Sequence, residues 1–244
     1  MFRKLKEIWR ESVDFANLRM EIQNIIGADD LNRLLQQFNL ISKSVECPHN
    51  PSHILTFVLA MLKTSSLGEG CFVEAGCFKG GSTAKLSLIA RRLKKRLIVF
   101  DSFEGLPPNQ EAHQQTIHGQ SIEGWFKEKE FCGGLEEVKN NVTRFGDIDS
   151  CEFIKGWFEN TLPDFNQPVL AAYIDVDLAS STRTCIKNLF PKMVKGGHLV
   201  SQDGDFPLVI EALEDKNFWL QEVGCPMPEI QGLRQKKMLT ILKP

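Results

Sequence analysis

The chain's pattern predicts a Rossmann-like α/β fold, a mostly parallel twisted sheet with helices on both faces. Three observations carry this. From residue 70 onward, short apolar runs alternate with stretches of helical spacing. The first of these runs, 71–75, ends in a glycine turn that opens a helix, the arrangement that offers backbone N–H groups to a ligand. The chain has 244 residues, 42% hydrophobic and 25% charged, enough for one large buried core with appendages.

The elements follow in order. Leu5, Ile8 and Trp9, then Leu31, Leu34, Leu35 and Phe38, recur at helical spacing and define an N-terminal helical extension over 1–46, ahead of a domain over 47–244. Glu7, Glu11 and Asp14 on the first helix oppose an anionic lipid surface. Strands are expected near 71–75, 97–100, 152–155, 169–174 and 198–201, and helices near 82–94, 181–190 and 208–215. The basic run 91–96 reads as a solvated helix end, where cations suit the dipole. Segments 219–223 and 238–242 are expected to pair as a terminal hairpin. Residues 107–140 are too long for an ordinary connection and read as a lid or substrate insert. In it, His113, His118, Trp125 and Phe126 either pack on the core or touch a substrate.

Bulk properties exclude several classes. A formal net charge of −2 and a pI near 6.2 give no footprint for nucleic acid. Seven cysteines without a CxxC pair read as reduced thiols, and Cys47, His49 and His53 lack the second cluster that a tetrahedral zinc site needs. There is no signal-peptide h-region, and the apolar stretch 54–62 is too short to span a bilayer, so a cytoplasmic protein without membrane contact is expected.

Ligands on parallel sheets bind at the carboxyl ends of the strands. The segment Phe72-Val73-Glu74-Ala75-Gly76-Cys77-Phe78-Lys79-Gly80-Gly81-Ser82 has the spacing Glu-x-Gly-x-x-x-Gly, not the GxGxxG that packs a pyrophosphate. An acid beside such glycines suits a ligand carrying an ammonium and a carboxylate. The next strand ends in Asp101, 27 residues after Glu74, where an acid can accept from a ribose diol; capping of the turn through Ser102 and Gly105 is the structural alternative. Together the two signals favour S-adenosylmethionine over NAD. A Lys195-Gly196-Gly197 turn before the fifth strand adds weaker support, and His198 at that strand's start reads as structural.

With those residues in hand, the chain resembles the macrocin O-methyltransferase (TylF-type) family over roughly residues 70–215. The likeness rests on Glu74-Ala75-Gly76-Cys77-Phe78-Lys79-Gly80-Gly81-Ser82, Asp101-Ser102-Phe103-Glu104-Gly105-Leu106-Pro107, Lys155-Gly156-Trp157-Phe158-Glu159-Asn160-Thr161-Leu162-Pro163 and Ile174-Asp175-Val176-Asp177-Leu178-Ala179-Ser180-Ser181-Thr182. It implies a class I methyltransferase fold, Mg²⁺-assisted transfer to a sugar hydroxyl, and a homodimer. It assigns the cofactor to Glu74, Ala75, Gly76, Gly80, Ser82, Asp101, Ser102, Gly156, Trp157, Phe158 and Asp175. It places the metal on Asp175, Gln202 and Asp203, and makes Asp177 the general base. The chain departs from the family where Gln202 replaces a carboxylate, where Ala179-Ser180 replaces Tyr-Glu, and where His198 replaces an aromatic residue.

Methyl transfer to oxygen needs the acceptor held near the methyl carbon and its proton removed, and a cation can stabilise the developing alkoxide. Helix capping after Ser180 is the structural alternative for the Asp175–Asp177 pair. Two other functions are set beside this one: an NAD-dependent oxidoreductase on the same architecture, and a cofactor-binding regulatory protein that has lost turnover along with a metal carboxylate.

Overall fold

A computed structural model describes residues 2–244, with side chains from residue 13 onward; the side chains of Leu5, Ile8 and Trp9 lie outside the described set. Among the described residues one sheet has seven strands: β1 (Cys71–Ala75), β2 (Leu97–Asp101), β3 (Cys151–Lys155), β4 (Val169–Ile174), β5 (Met193–Ser201), β6 (Ile230–Gln231) and β7 (Leu239–Leu242). Their order is β3-β2-β1-β4-β5-β7-β6. The first five strands are parallel, and β7 runs antiparallel between β5 and β6. The order reverses at β1 and β4, so the carboxyl ends of those two strands flank the crevice where such sheets bind ligands.

The helices are α1 (Phe2–Ile26), α2 (Ala28–Ser44), α3 (Pro51–Thr64), α4 (Gly81–Leu93), α5 (Leu135–Phe145), α6 (Phe158–Thr161), α7 (Ala179–Leu189) and α8 (Pro207–Glu214). The central strands β1, β2 and β4 are nearly all apolar because both faces are covered. Phe72, Leu97, Val99 and Tyr173 pack with Leu31, Phe57, Leu86 and Val138 from α2 to α5. Their strand neighbours Val73, Ile98, Phe100 and Ala172 pack on the other side with Ile186, Val209 and Trp219. Neither helix of the N-terminal pair nor any other described helix is long and apolar enough to cross a membrane.

Three local expectations change. Segment 219–223 is not a strand: Phe218–Val223 forms a π-helical turn, and β7 pairs with Ile230–Gln231 instead. The buried positions 218, 219 and 223 follow a helical spacing, and the Trp219 indole donates to the Leu213 carbonyl at 2.7 Å. The irregular insert stops at 134, because Leu135 opens α5, whose buried Val138 and Val142 sit one turn apart. The stretch 54–62, judged above only for length, belongs to α3, which starts at Pro51 and packs against α1 and the sheet.

Candidate active site

The cofactor turn joins β1 to α4 and depends on its glycines. Gly76 has φ +84°, and a Cβ there would lie 1.9 Å from the Asp175 carbonyl oxygen, so only glycine allows the ends of β1 and β4 to approach so closely. Gly80, left-handed at φ +80°, caps α4, and a Cβ on it would meet Val138 at 2.9 Å. Glu74, mid-strand and fully buried, has no partner of normal hydrogen-bond geometry on either carboxylate oxygen. Burial pushes its pKa up to about 7, against the pull of the nearby Ser82 and Thr83 hydroxyls. An orphaned buried acid beside an open glycine turn suits an ammonium group, and in this respect the residues fit S-adenosylmethionine.

At the end of β2, Asp101 accepts from the Cys77 N–H and from the Phe103 N–H, each at 2.7 Å. Burial raises its pKa in spite of these bonds. It therefore caps its own turn, and each oxygen keeps a lone pair for a further donor. Ser102 is spent on the same turn: its hydroxyl donates to the Gly105 carbonyl and accepts from the Glu104 N–H. Gly156, just past β3, donates its N–H to the Asp101 carbonyl at 2.9 Å, and Trp157 and Phe158 follow as the start of α6. The positions expected to bind the cofactor thus lie along the carboxyl ends of β1 to β4 and the start of α4.

Ile174 of β4 pairs with Ser201 of β5, so the acidic residues just beyond the two strands become neighbours. Carboxylate oxygens of Asp175, Asp177 and Asp203 all lie within 4.8 Å of one another. Asp203 shapes this turn by accepting the Val176 and Asp177 N–H groups, both at 3.1 Å. Asp177 itself takes the left-handed conformation, φ +61°, which breaks strand alternation and turns its carboxylate into the group. Burial, then the charge of Asp175, raises the Asp177 pKa to about 7. The same two causes, with Asp177 added, hold Asp203 well above the usual carboxylate range.

Residues from distant segments complete the site. His49, on the link between α2 and α3, places Nε2 2.6 Å from the Asp175 carboxylate, while its Nδ1 lies 3.3 Å from the Cys47 sulfur. Burial alone would lower the His49 pKa, but Asp175 and Cys47 raise it to about 10. Lys85 reaches the same sulfur at 3.4 Å. His53 stands apart from this chain, buried, with its Nδ1 unpartnered. Lys237, between β6 and β7, lies 3.6 Å from Asp205. Burial would lower its pKa, yet Asp205, Asp203, Asp175 and Asp177 together raise it.

The capping alternative for Asp175 and Asp177 fails, because another residue caps α7. Glu111 of the insert accepts from the Ala179 N–H at 2.7 Å, the Ser180 N–H at 2.9 Å and the Ser180 hydroxyl at 2.6 Å. Burial opposes its ionisation, but the bonds from His113 and Ser180 outweigh it and lower its pKa to about 2. His113 and Phe126 pack on each other and on Phe206, so they belong to the core side of the insert, while Trp125 is exposed. A cavity of about 920 Å³ opens between α1, α3, the insert and the β6–β7 hairpin, lined by His53, His118, His198 and Lys237 among others.

Of the three metal ligands implied by the resemblance, Asp175 and Asp203 lie in this acidic group, which could hold a metal ion together with Asp177, whereas Gln202 is engaged elsewhere. Mg²⁺ takes oxygen ligands in octahedral array and usually keeps several waters, so one or two carboxylates suffice on the protein's side. The Gln202 amide oxygen instead accepts from the buried Tyr173 hydroxyl. One Asp175 oxygen is covered by His49 and one Asp203 oxygen accepts two backbone N–H groups, which leaves the other oxygen of each, and the Asp177 carboxylate, open to a cation.

The strand order and this strand-end site define a class I methyltransferase fold. A profile of the macrocin-O-methyltransferase (TylF) family matches residues 60–232, and the chain belongs to that family. It is 30% identical over 172 residues to the 8-demethyl-8-(2,3-dimethoxy-alpha-L-rhamnosyl)-tetracenomycin-C 4'-O-methyltransferase of Streptomyces olivaceus, covering 67% of this chain and 63% of that protein. It is also 30% identical over 139 residues to the demethyldecarbamoylnovobiocin O-methyltransferase of Streptomyces niveus, covering 55% and 52%. The matches thus leave a third or more of those relatives' length unspanned. Among solved structures, the O-methyltransferase NovP superposes with a TM-score of 0.58 at 20% identity, over 87% of this chain and 80% of that one.

Proposed function

We propose that the chain methylates a hydroxyl of a sugar or a sugar-bearing small molecule, with S-adenosylmethionine as donor and Asp177 as general base. The observation that carries this is the Asp177 carboxylate, held by burial and by Asp175 at a pKa of about 7 and set at the end of β4 beside the glycine turn of β1. When bound, S-adenosylmethionine supplies a methyl carbon activated by its sulfonium, which leaves as a neutral thioether. Glu74 holds the donor's ammonium end, and Asp101 takes the ribose hydroxyls with the lone pairs its turn leaves free. Asp177 receives the acceptor proton as the new O–C bond forms; a base with a pKa near neutrality is ionised often enough to act and basic enough to be useful. The insert, clamped to α7 by Glu111, walls the acceptor side.

The names of the relatives support a sugar-bearing acceptor: one concerns a rhamnosyl-tetracenomycin and another a demethyldecarbamoylnovobiocin. A homodimer belongs to the same proposal, with the exposed Met20, Ile25 and Leu40 of α1 and α2 as the surface it would cover. The test is transfer of labelled methyl to a panel of free sugars, nucleotide sugars and glycosides, with cofactor binding as control. Tight cofactor binding with transfer to none of them would point to a regulatory, non-catalytic protein.

A further inference from the structure

The link between α2 and α3 carries a cysteine that methyl transfer does not use, and the fold sets basic side chains around its sulfur. Cys47 Sγ lies 3.3 Å from His49 Nδ1 and 3.4 Å from Nζ of Lys85, which comes from α4. Lys85 is buried, at 3% exposure, and among the described residues the Cys47 sulfur is the one hydrogen-bond acceptor that meets its ammonium. A buried ammonium needs an anion, and the sulfur beside it becomes one as a thiolate. Burial pushes the Cys47 thiol up, but His49 and Lys85 bring it down to about 7, and from β4 the Tyr173 phenol feels its charge. A thiolate formed near neutral pH beside cations is the attacking group of thiol–disulfide exchange. Cys47 is only half-buried, whereas Cys71, Cys77 and Cys185 are sealed in the core.

The same side chain is packed on the cofactor turn. A Cβ on Gly81, the first residue of α4, would lie 2.7 Å from Cys47 Cβ and 3.2 Å from Sγ, so the two segments touch with no space between them. Lys79, two residues earlier, pairs with Glu46 at 2.5 Å and ties the link to the turn a second time. We propose that Cys47 is a modification site for low-molecular-weight disulfides, and that its mixed disulfide disables the cofactor turn. In the step, the Cys47 thiolate attacks one sulfur of the disulfide and a new S–S bond forms. The old S–S bonding pair leaves on the other half, which departs as a thiolate. Cys47 is oxidised, the released half is reduced, and a second thiol reverses the reaction. The product sulfur is neutral, so Lys85 is left buried without an anion, and the added group presses on Gly81. Both effects displace the start of α4, which carries Ser82 beside Glu74. The coupling rests on the cofactor site proposed above; the reactivity of Cys47 does not.

The test uses the purified full chain, glutathione disulfide as the reagent and S-adenosylhomocysteine as the cofactor probe. Peptide mapping after brief exposure at pH 7 should find Cys47 modified ahead of the exposed Cys132 in the same molecule. The rate at Cys47 should rise with pH to a plateau, with its midpoint near 7, and Lys85→Met should move that midpoint up by about 1–3 pH units. Full conversion of Cys47 should weaken S-adenosylhomocysteine binding about tenfold to a hundredfold by calorimetry, and dithiothreitol should restore it. In Cys47→Ala the same treatment should leave the affinity wherever that variant starts. An unmodified Cys47 beside a modified Cys132 overturns the proposal, as does a midpoint that Lys85→Met leaves in place. Unchanged affinity in fully converted protein overturns the coupling; should Lys85→Met fail to fold, the wild-type mapping and pH profile decide. If the reduced protein binds no S-adenosylhomocysteine, it is the cofactor site that fails, and the mapping still decides whether Cys47 is reactive.

Discussion

Replacing Asp177 by Asn should make the protein more stable and nearly inactive at once. Asn tolerates the left-handed backbone at this position, and the N–H that Asp203 accepts is untouched, so the turn survives. What changes is a carboxyl whose pKa stands at about 7 in the folded chain against 3.8 in its absence. A folded-state pKa raised in this way means that ionisation costs stability. The cost is absent below pH 3.8, grows as the pH rises toward about 7, and is fully present above. At one pKa unit per 1.36 kcal/mol the ceiling is about 4 kcal/mol, and sharing of protons with Asp203 brings it to about 2. In a chain of this size each kcal/mol moves the melting temperature by about 2–4 °C.

Thermal melts at pH 8 and at pH 4 measure this: Asp177→Asn should melt higher than wild type at pH 8, and the two should converge at pH 4. In the same variant turnover should fall about 10²–10⁴-fold with cofactor affinity unchanged, since the amide cannot take the proton. The wild-type rate should rise with pH through about 7, as the base ionises. Near-normal turnover would assign proton removal to another group, and an unchanged melting temperature at pH 8 would show that the carboxylate is not held in a repulsive, desolvated place.

Asp101→Ala removes charge-assisted bonds to the ribose worth about 1.5–3 kcal/mol each at most, so cofactor affinity should drop about tenfold to a hundredfold by calorimetry. It also strands the Cys77 and Phe103 N–H groups, so the melting temperature should fall in parallel; unchanged affinity removes Asp101 from the cofactor site. Glu111→Ala deletes the α7 cap at a cost of about 1–2 kcal/mol, and should expose 107–134 to limited proteolysis. Since the Glu111 pKa falls from 4.5 to about 2, its contribution is present above pH 4.5 and is lost as the pH drops toward 2; equal wild-type and variant stability at pH 7 would refute the clamp.

The parallel sheet was legible because burial on both faces makes each strand a short apolar run, and the cofactor turn because Glu74, Gly76 and Gly80 are consecutive features of one loop. Residues 218–223 misled because a run of apolar residues fits a strand or a buried helical turn equally well until Trp219 is seen donating to Leu213. His49 and Glu111 were beyond reach for another reason. They act on Asp175 from 126 positions away and on Ala179 from 68 positions away, and contacts made by the fold at such separations leave no local spacing to read. Cys47 and His49 were visible as neighbours and do meet, but in a hydrogen-bonded chain to Asp175 and not around zinc.

The amide at position 202 becomes intelligible from what surrounds it. Tyr173 is fully buried against Phe57 and edge-on to His49, so its phenol requires a partner, and the Gln202 oxygen supplies one without charge. A carboxylate at 202 would accept the same bond but add a fourth negative charge beside Asp175, Asp177 and Asp203, two of which are already driven toward their protonated forms. His49 and Lys237 bring at most two positive charges to that group, so nothing on the protein would balance the addition. Gln202→Asp should therefore lower stability by about 1–3 kcal/mol at pH 8. The new acid's pKa would be raised by its neighbours, so the loss should shrink as the pH is lowered and the added carboxyl takes up a proton. Melting temperatures of wild type and variant at pH 5 and pH 8 read this out. Equal melting temperatures at pH 8 would mean that the charges already at the site leave room for another anion.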